Sequence, residues 1–388
     1  MRVKRIAIVF EGSIYNRKGL VNAVLERAKR LCEVKEFSVD VYCMMYYENL
    51  IVRTLRHTSR IEKLTEEFVN GVKINILWDD FSLIDYILTV KFHLRDIFKN
   101  RWLKSIVAIF KDYDLILAHS YTAGVLALNV KKIYNIPYCI TWHGSDIHTS
   151  PKNNRNIKKS TKEIIDNANV NFFVSKALLE TAKSISTVTD KWKISYNGAS
   201  DLFKKYTDDE RQQLRQQYNV LNRKIVAFVG SLVDIKNVLL LPDIVCSVNK
   251  KMNSNVILWI IGDGKLRKPL QHKLDEYNIE YKMWGNQSEE KIPLLMNCID
   301  VLILPSKNEG LPLVSVEALR CCVNVVGSNV GGISEVIGIE NVFDLNDNFV
   351  ENISDRIVTM LNNKIKQSTS DVFTWSNTVK KEIEIYGI

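Results

Sequence analysis

No apolar run in the 388 residues approaches the ~20 that a membrane helix needs, so no spanning segment is expected. The opening Met1-Arg-Val-Lys-Arg-Ile-Ala-Ile-Val-Phe10 begins like a signal peptide. Its apolar part is short, however, and meets Glu11-Gly12, which suits a first buried strand. The seven cysteines show no CxxC or CxH spacing, and most lie in apolar strand or helix patterns. That excludes a cysteine metal framework and points to reduced core thiols in a cytosolic protein. A Gly-x-Gly-x-x-Gly turn after a strand, with an acid ~20 residues on, is missing, which removes a two-domain nicotinamide dehydrogenase. Internal repeats and low-complexity segments are missing too.

What is present reads as a globular α/β chain. Its length suggests two cores, and its 46% hydrophobic and 25% charged residues are those of an ordinary globular protein. A formal charge of +9 favours anionic partners, for which nucleotides, nucleic acid and acidic lipid all qualify. Strand-like runs alternate with helical patterns throughout, so parallel sheets with helices on both faces are expected.

In the first half, Ile6–Phe10 reads as a strand with Gly12 in the loop at its end. The helix from Leu20 to Cys32 places Val21, Val24, Leu25, Ala28 and Leu31 on its apolar stripe and Arg27, Lys29 and Arg30 outward. Phe37–Cys43 is a second strand. Residues 44–110 are the least legible, and acceptor specificity is expected there. Within them, Lys91–Lys111 mixes six basic residues and one acid with large apolar side chains. Two readings stand: a helix on an anionic membrane surface, or one packed on the sheet. Asp114–His119 and Pro137–Trp142 each read as a strand followed by a histidine-bearing turn. His119 and His143 thus lie at strand carboxyl ends, where open α/β sheets bind ligands. The five basic residues of Lys152–Lys162 suggest a mobile surface loop. Asn169–Val174 is a strand, and Ser175 caps the helix after it.

In the second half, Thr207–Tyr218 is a charged helix. Ile225–Val229 is a strand entering Gly230-Ser231-Leu-Val-Asp-Ile-Lys236-Asn237, and Val256–Ile261 a strand entering Gly262-Asp-Gly264. Val301–Leu304 is a buried strand broken by Pro305-Ser306 and Asn308-Glu309-Gly310, with Pro312 suited to the first turn of a helix. Glu309 and Glu317, eight positions apart, can both face what lies over that helix N-terminus, a natural phosphate site. Carboxylates beside a phosphate site suit sugar hydroxyls. The alternative is a solvated Glu309 and a Glu317 satisfying a neighbouring amide. Ile353–Leu361 and Phe373–Tyr386 are helical in pattern.

In this setting Glu309 and Glu317 resemble the E-x7-E motif of the retaining, nucleotide-sugar-dependent glycosyltransferases of the GT-B fold, group 1 and family 4 type. His143-Gly-Ser-Asp146 is similar to the family's HGSD-type segment, and Gly230 to Asn237 to its G-R-L-x-x-x-K-[GN] segment, with Ser231 where arginine is usual. Gly331-Gly332 is similar to its second glycine turn, while Cys322 and Asn324 replace a usual glycine and proline.

The resemblance implies two Rossmann-like domains whose parallel sheets face a central cleft. Residues 1–205 would take the acceptor and 206–372 the nucleotide sugar, with helix 373–388 packing back on the first. It implies transfer with retention from a nucleotide-diphosphate sugar, a UDP-sugar favoured, to a polysaccharide, lipid-linked or glycolipid acceptor. His143, Lys236 and Glu309 would be catalytic. Lys236 and the N–H groups of Gly310 and Leu311 would hold the diphosphate, Glu317 the ribose and Glu309 the donor sugar. Gly12, Gly230, Ser231 and Asn286 would line the donor site, and Arg267 would replace the absent arginine. No Asp-x-Asp closes a strand-like run, so no metal is expected, and no cofactor, since the nucleotide sugar is a substrate. Nucleic acid is not an expected partner, because it leaves the acids at the helix end unexplained. The location implied is cytoplasmic, peripheral on the inner face of the membrane. The competing reading is a catalytically idle GT-B protein that binds a nucleotide or a partner.

Overall fold

The computed structural model describes residues 2–15, 19–56, 61–92, 95–362, 367–368 and 370–387, with backbone alone at 56, 90–92 and 95–98. The chain forms two compact units: residues 1–195 with 375–388, and residues 196–374.

The first unit carries strands β1 (Lys4–Glu11), β2 (Phe37–Glu48), β3 (Glu66–Val69), β4 (Val72–Phe81), β5 (Leu115–His119), β6 (Tyr138–Trp142), β7 (Val170–Phe173) and β8 (Trp192–Ile194). Their order is β3-β4-β2-β1-β5-β6-β7-β8. All neighbours are parallel except β3 and β4, an antiparallel hairpin. Asn70 and Gly71 make its turn with φ 51° and 80°, the left-handed pair that a two-residue hairpin demands. β1 and β5 are apolar on both faces and fully buried along their middles, as expected of strands covered by helices on each side.

The second unit carries β9 (Ile225–Val229), β10 (Ile257–Ile261), β11 (Tyr281–Gly285), β12 (Val301–Leu304), β13 (Asn324–Ser328) and β14 (Val342–Phe343). The order is β11-β10-β9-β12-β13-β14, parallel throughout. In both units the chain steps outward from a first strand, then returns to build on its other side. The reversals fall between β1 and β5 and between β9 and β12. At such a switch point two loops part at the strand carboxyl ends and leave room for a ligand.

Three expectations are corrected. Arg27 does not face outward: it is 1% exposed, because helix Trp375–Tyr386 packs over helix Gly19–Cys32 and brings Glu382 to it. Residues 152–162 are not a loop but fall in helices Ser150–Asn153 and Arg155–Asn167. Asn154 caps the second by accepting from the N–H groups of Asn156 and Ile157, and Thr161, Ile164 and Ile165 form its buried stripe while the lysines project. The basic segment after Lys91 is not one helix. Helices Leu83–Phe92 and Arg95–Ser105 flank residues 93–94, which lie outside the described residues, and Leu103, Val107 and Phe110 are buried. All seven cysteines are free thiols, four of them buried, while Cys32 and Cys322 are exposed.

Candidate functional site

In the second unit the switch-point loops are built on close backbone contacts that only glycine allows. A Cβ on Gly262, which has φ 127°, would stand 2.0 Å from the Gly230 carbonyl oxygen, and one on Gly264 2.4 Å from that of Leu232. The Leu232 N–H in turn donates to the Asp263 carbonyl, 3.0 Å. The turn after β9 closes as a short 3-10 segment, Asp234–Lys236, followed by Asn237 at φ 54°. Asparagine and glycine are the residues that accept that left-handed conformation, which is why one of them follows the lysine.

This turn delivers Lys236 to Glu309. Its Nζ lies 2.5 Å from Glu309 Oε1, to which the Ser306 hydroxyl also donates, at 2.7 Å. The Glu309 side chain is 11% exposed, so the solvated alternative does not hold. A backbone bond from the Lys307 N–H to the Ile235 carbonyl, 2.8 Å, fixes the two loops together. Behind them, the Gly332 N–H donates to the Gly310 carbonyl at 2.9 Å, and a Cβ on Gly331 would stand 1.8 Å from the Glu309 carbonyl. The second glycine turn therefore backs directly onto Glu309 and Gly310. Helix Leu313–Arg320 starts after Leu311 and Pro312 with no side-chain cap, so its first N–H groups keep their donor capacity.

Glu317, one turn into that helix, is partly buried; its backbone carbonyl accepts from the Cys321 N–H at 3.2 Å, but its carboxylate meets no hydrogen-bond partner among the described residues, so the neighbouring-amide alternative finds none there. Burial, then the nearby Glu289 charge, push its carboxyl up to about 8. Arg267 pairs with Asp263 at 3.0 Å and lies by Gly285. Asn286 is exposed after β11. Both stand on the β10–β11 side. Ser231 is half-buried, its carbonyl accepting from the Val233 N–H.

In the first unit, β5 and β6 lie side by side and end in the two histidines. His119 Nδ1 and His143 Nε2 are 3.1 Å apart, so one ring donates a proton to the other. Burial, and then the Arg27 charge, hold His143 down at about 3. His119 is lowered too, by burial first, then by His143 and Arg27. Both rings are neutral near pH 7, a matched donor–acceptor pair. Asp146 aims His143: its carboxylate accepts from the Gly144 N–H at 2.8 Å and the His143 N–H at 3.2 Å, with Gly144 at φ 152°. That geometry accounts for the His-Gly-x-Asp spacing. Gly12 also lies in this unit, at the end of β1, where a Cβ would meet Val21 at 2.8 Å.

Two groups here were not expected. Glu11, beside Gly12, takes Lys99 on both oxygens at 2.9 Å, the Tyr46 hydroxyl at 2.5 Å and the Thr122 hydroxyl. Arg27 bonds Glu382 at 3.1 Å and 3.2 Å, and its guanidinium lies 4.9 Å from the Trp375 ring centroid. The spacing Val24, Arg27, Ala28, Leu31 was the available signal, since it sets the arginine on the apolar stripe. No group of three potential metal ligands occurs among the described residues.

Compared with known proteins, residues 210–371 match the family model Glycosyl transferases group 1, and residues 17–201 match Glycosyltransferase Family 4. The chain belongs to the GT-B glycosyltransferases. The fold of this glycosyltransferase is similar to that of Anabaena HepE, solved in complex with UDP and glucose, with a TM-score of 0.73, 18% identity and 98% of each chain covered. It is 28% identical over 227 residues to the putative teichuronic acid biosynthesis glycosyltransferase TuaC of Bacillus subtilis, covering 58% of this chain and 55% of TuaC. The chain thus spans about half the length of that relative. It is also 24% identical over 314 residues to the Escherichia coli UDP-Gal:alpha-D-GlcNAc-diphosphoundecaprenol alpha-1,3-galactosyltransferase, covering 72% of this chain and 77% of that enzyme.

Proposed function

We propose that this glycosyltransferase moves a sugar from a UDP-sugar to a polysaccharide, lipid-linked or glycolipid acceptor, with retention of configuration and without a metal. The observation that carries the reading is the Lys236–Glu309 pair at the β9/β12 switch point, beside an uncapped helix N-terminus. Breaking a sugar–diphosphate bond leaves negative charge on phosphate and positive character on the sugar. Lys236 and the N–H groups of Gly310 and Leu311 stabilise the first, and fixed hydroxyl acceptors steady the second. Glu309 takes the donor sugar and Glu317 the ribose. Gly230 and Ser231 let the diphosphate approach the backbone, Arg267 supplies a second cation, and Asn286 faces the base. His143, neutral and aimed by Asp146, bonds the transferred sugar. The first unit serves the acceptor and the second the donor.

The UDP and glucose of the HepE complex support a UDP-sugar donor, and the names of TuaC and the undecaprenol-linked enzyme support the acceptor class. A lipid-linked acceptor places the enzyme on the inner face of the membrane, peripherally. No helix among the described residues is long and apolar enough to cross one. The competing reading, an idle nucleotide binder, rests on Ser231 in place of arginine.

UDP release from UDP-glucose, UDP-galactose, UDP-N-acetylglucosamine and GDP-mannose, with and without chelator, tests this. Turnover of a UDP-sugar that chelator leaves unchanged, and that Lys236→Ala or Glu309→Ala each lowers about 10²–10³-fold, is expected. Equal activity in both variants overturns the site. UDP binding without turnover of any sugar supports the idle reading, and the anomeric configuration of the product decides retention.

A further inference from the structure

His119 ends β5 and holds the N-cap position of helix Ser120–Tyr134, yet its side chain makes no capping bond. Serine, threonine, asparagine or aspartate at that position would satisfy the first N–H groups of the helix. Histidine leaves them uncapped, and its ring meets the neighbouring strand instead. No loop separates strand from helix: the joint is made by Ser120 at φ 76°, a left-handed conformation that a serine adopts at a cost. Strain of this kind persists only where the surrounding structure holds it, and it collects at sites that must place one side chain accurately. The side chain placed here is His119, 2% exposed.

Sheet register explains what that ring meets. His119 is in register with Thr141 of β6. Partners in register share a face of a parallel sheet, and His143, two residues beyond Thr141, returns to the same face. The two rings come together with centroids 5.4 Å apart and 39° between their planes, joined by the 3.1 Å bond between His119 Nδ1 and His143 Nε2. That bond occupies one of the two ring nitrogens of His143. The other, Nδ1, belongs to a half-buried ring and has no hydrogen-bond partner among the described residues. Asp146 holds the His143 backbone N–H and His119 holds the far edge of the ring, so the imidazole is fixed at both ends with one nitrogen left for a ligand. The two tautomers are tied as well. With the shared proton on His119, a neutral His143 must carry its own on Nδ1; with the shared proton on His143 Nε2, Nδ1 is a bare acceptor.

We infer that His119 is a positioning residue for the transfer: it fixes the orientation and tautomer of the His143 ring, so that His143 Nδ1 is the atom that meets the transferred sugar. The inference rests on the reading of His143 given above and adds the residue that aims it and the nitrogen it presents. His119 touches no substrate and acts only through its neighbour. An imidazole held by one nitrogen cannot turn over to present a carbon edge, so the contact to the sugar is set before the substrate arrives and needs no reorganisation as charge develops.

UDP release from a UDP-sugar, nitrogen NMR of the imidazole rings and UDP calorimetry, applied to His119 variants, test it. His119→Phe keeps a planar ring without a nitrogen and is expected to lower kcat about 10–10²-fold with little change in the KM for the UDP-sugar. His119→Asn, whose amide reaches the place of Nδ1 and can donate or accept, is expected to return kcat to within about threefold of the parent. In a His143→Ala background, His119→Phe is expected to cost less than about twofold more, because nothing is left to position. The rings should show a single His143 tautomer in the parent and in His119→Asn, and a mixture in His119→Phe, with UDP affinity and circular dichroism those of the parent throughout. If His119→Phe does not fold, His119→Leu takes its place in the same comparisons. Parent-like kcat in His119→Phe, its full cost repeated in the His143→Ala background, or a His143 ring spectrum that it leaves unchanged would overturn the inference. Spectra that change as expected in a protein that binds UDP but turns over no UDP-sugar would support the coupling of the rings and count against the transfer reading instead.

Discussion

Replacing Glu382 with leucine strands a cation. Arg27 and Glu382 are each 1% exposed and meet at 3.1 Å and 3.2 Å. At an effective dielectric near 20 their attraction is roughly 5 kcal/mol, while taking each ion out of water costs several kcal/mol. The pair as a whole is thus close to neutral in stability, but either member alone is not. Glu382 also accepts from the Tyr386 hydroxyl at 3.1 Å and from the Ser195 hydroxyl. Glu382→Leu is expected to destabilise the first unit by about 3–5 kcal/mol. The double variant Arg27→Met, Glu382→Leu is expected to recover most of that, because it removes both charges and keeps the volume. Urea unfolding followed by circular dichroism, with Glu382→Leu, Arg27→Met and the double variant beside the parent, measures the cycle. A single variant costing under about 1 kcal/mol, or a double variant as unstable as Glu382→Leu, refutes the reasoning. The same series reads out on the histidines. Arg27→Met removes the charge that adds to the effect of burial, so the His143 pKa rises from about 3 while burial keeps it below its usual value.

His143 also makes the first unit acid-sensitive. Its folded pKa lies below the unfolded value, so its contribution is complete above pH ~6.5 and is lost as pH falls toward about 3. Urea midpoints of His143→Gln across that window should be flatter than those of the parent. Glu317 has the opposite sign: its folded pKa is raised to about 8, so the parent loses stability as pH climbs from ~4.5 to 8. Glu317→Gln should therefore gain on the parent over that range in thermal melts. If ribose hydroxyls bond the carboxylate, UDP binding to the parent near pH 7 releases a proton, and calorimetry in buffers of different ionisation enthalpy should find that release missing in the variant. Cys322 sits at φ 57° after helix Leu313–Arg320. Cys322→Gly should raise stability by about 0.5 kcal/mol, the relief of a left-handed side chain less the added freedom of the unfolded chain. Gly331→Ala would drive a methyl to 1.8 Å from the Glu309 carbonyl. It should weaken UDP binding by about tenfold or more in calorimetry, with the loop displaced rather than the unit unfolded.

Elements whose cause is local were legible. β12, its Pro and Gly breaks and helix Leu313–Arg320 follow from an apolar run and its punctuation. Ser175 caps its helix by accepting from the Leu178 N–H, as the serine ahead of a helical pattern implies. Thr207 and Glu210 close a capping box. Helix Arg155–Asn167 was not legible, because its basic residues interrupt the apolar pattern and the buried stripe of Thr161, Ile164 and Ile165 is short.

Although the antiparallel hairpin of β3 and β4 and helix Arg155–Asn167 were not legible in it, the sequence alone determined most of the core strands, that those strands would lie parallel, and the turns at Gly230, Gly262 and Gly310 that follow them. Those choices depend on backbone sterics and on the alternation of apolar residues along a short window, both carried by neighbours in the chain. The tertiary structure alone decided the electrostatics. It buried Arg27 by bringing up Glu382 from 355 positions away, paired His119 with His143 because β5 and β6 are neighbours, and set Lys236 against Glu309 across the β9/β12 switch point. The charge a side chain carries, and what it can bind, depend on the groups within a few ångströms of it, and distance in space is what the fold supplies.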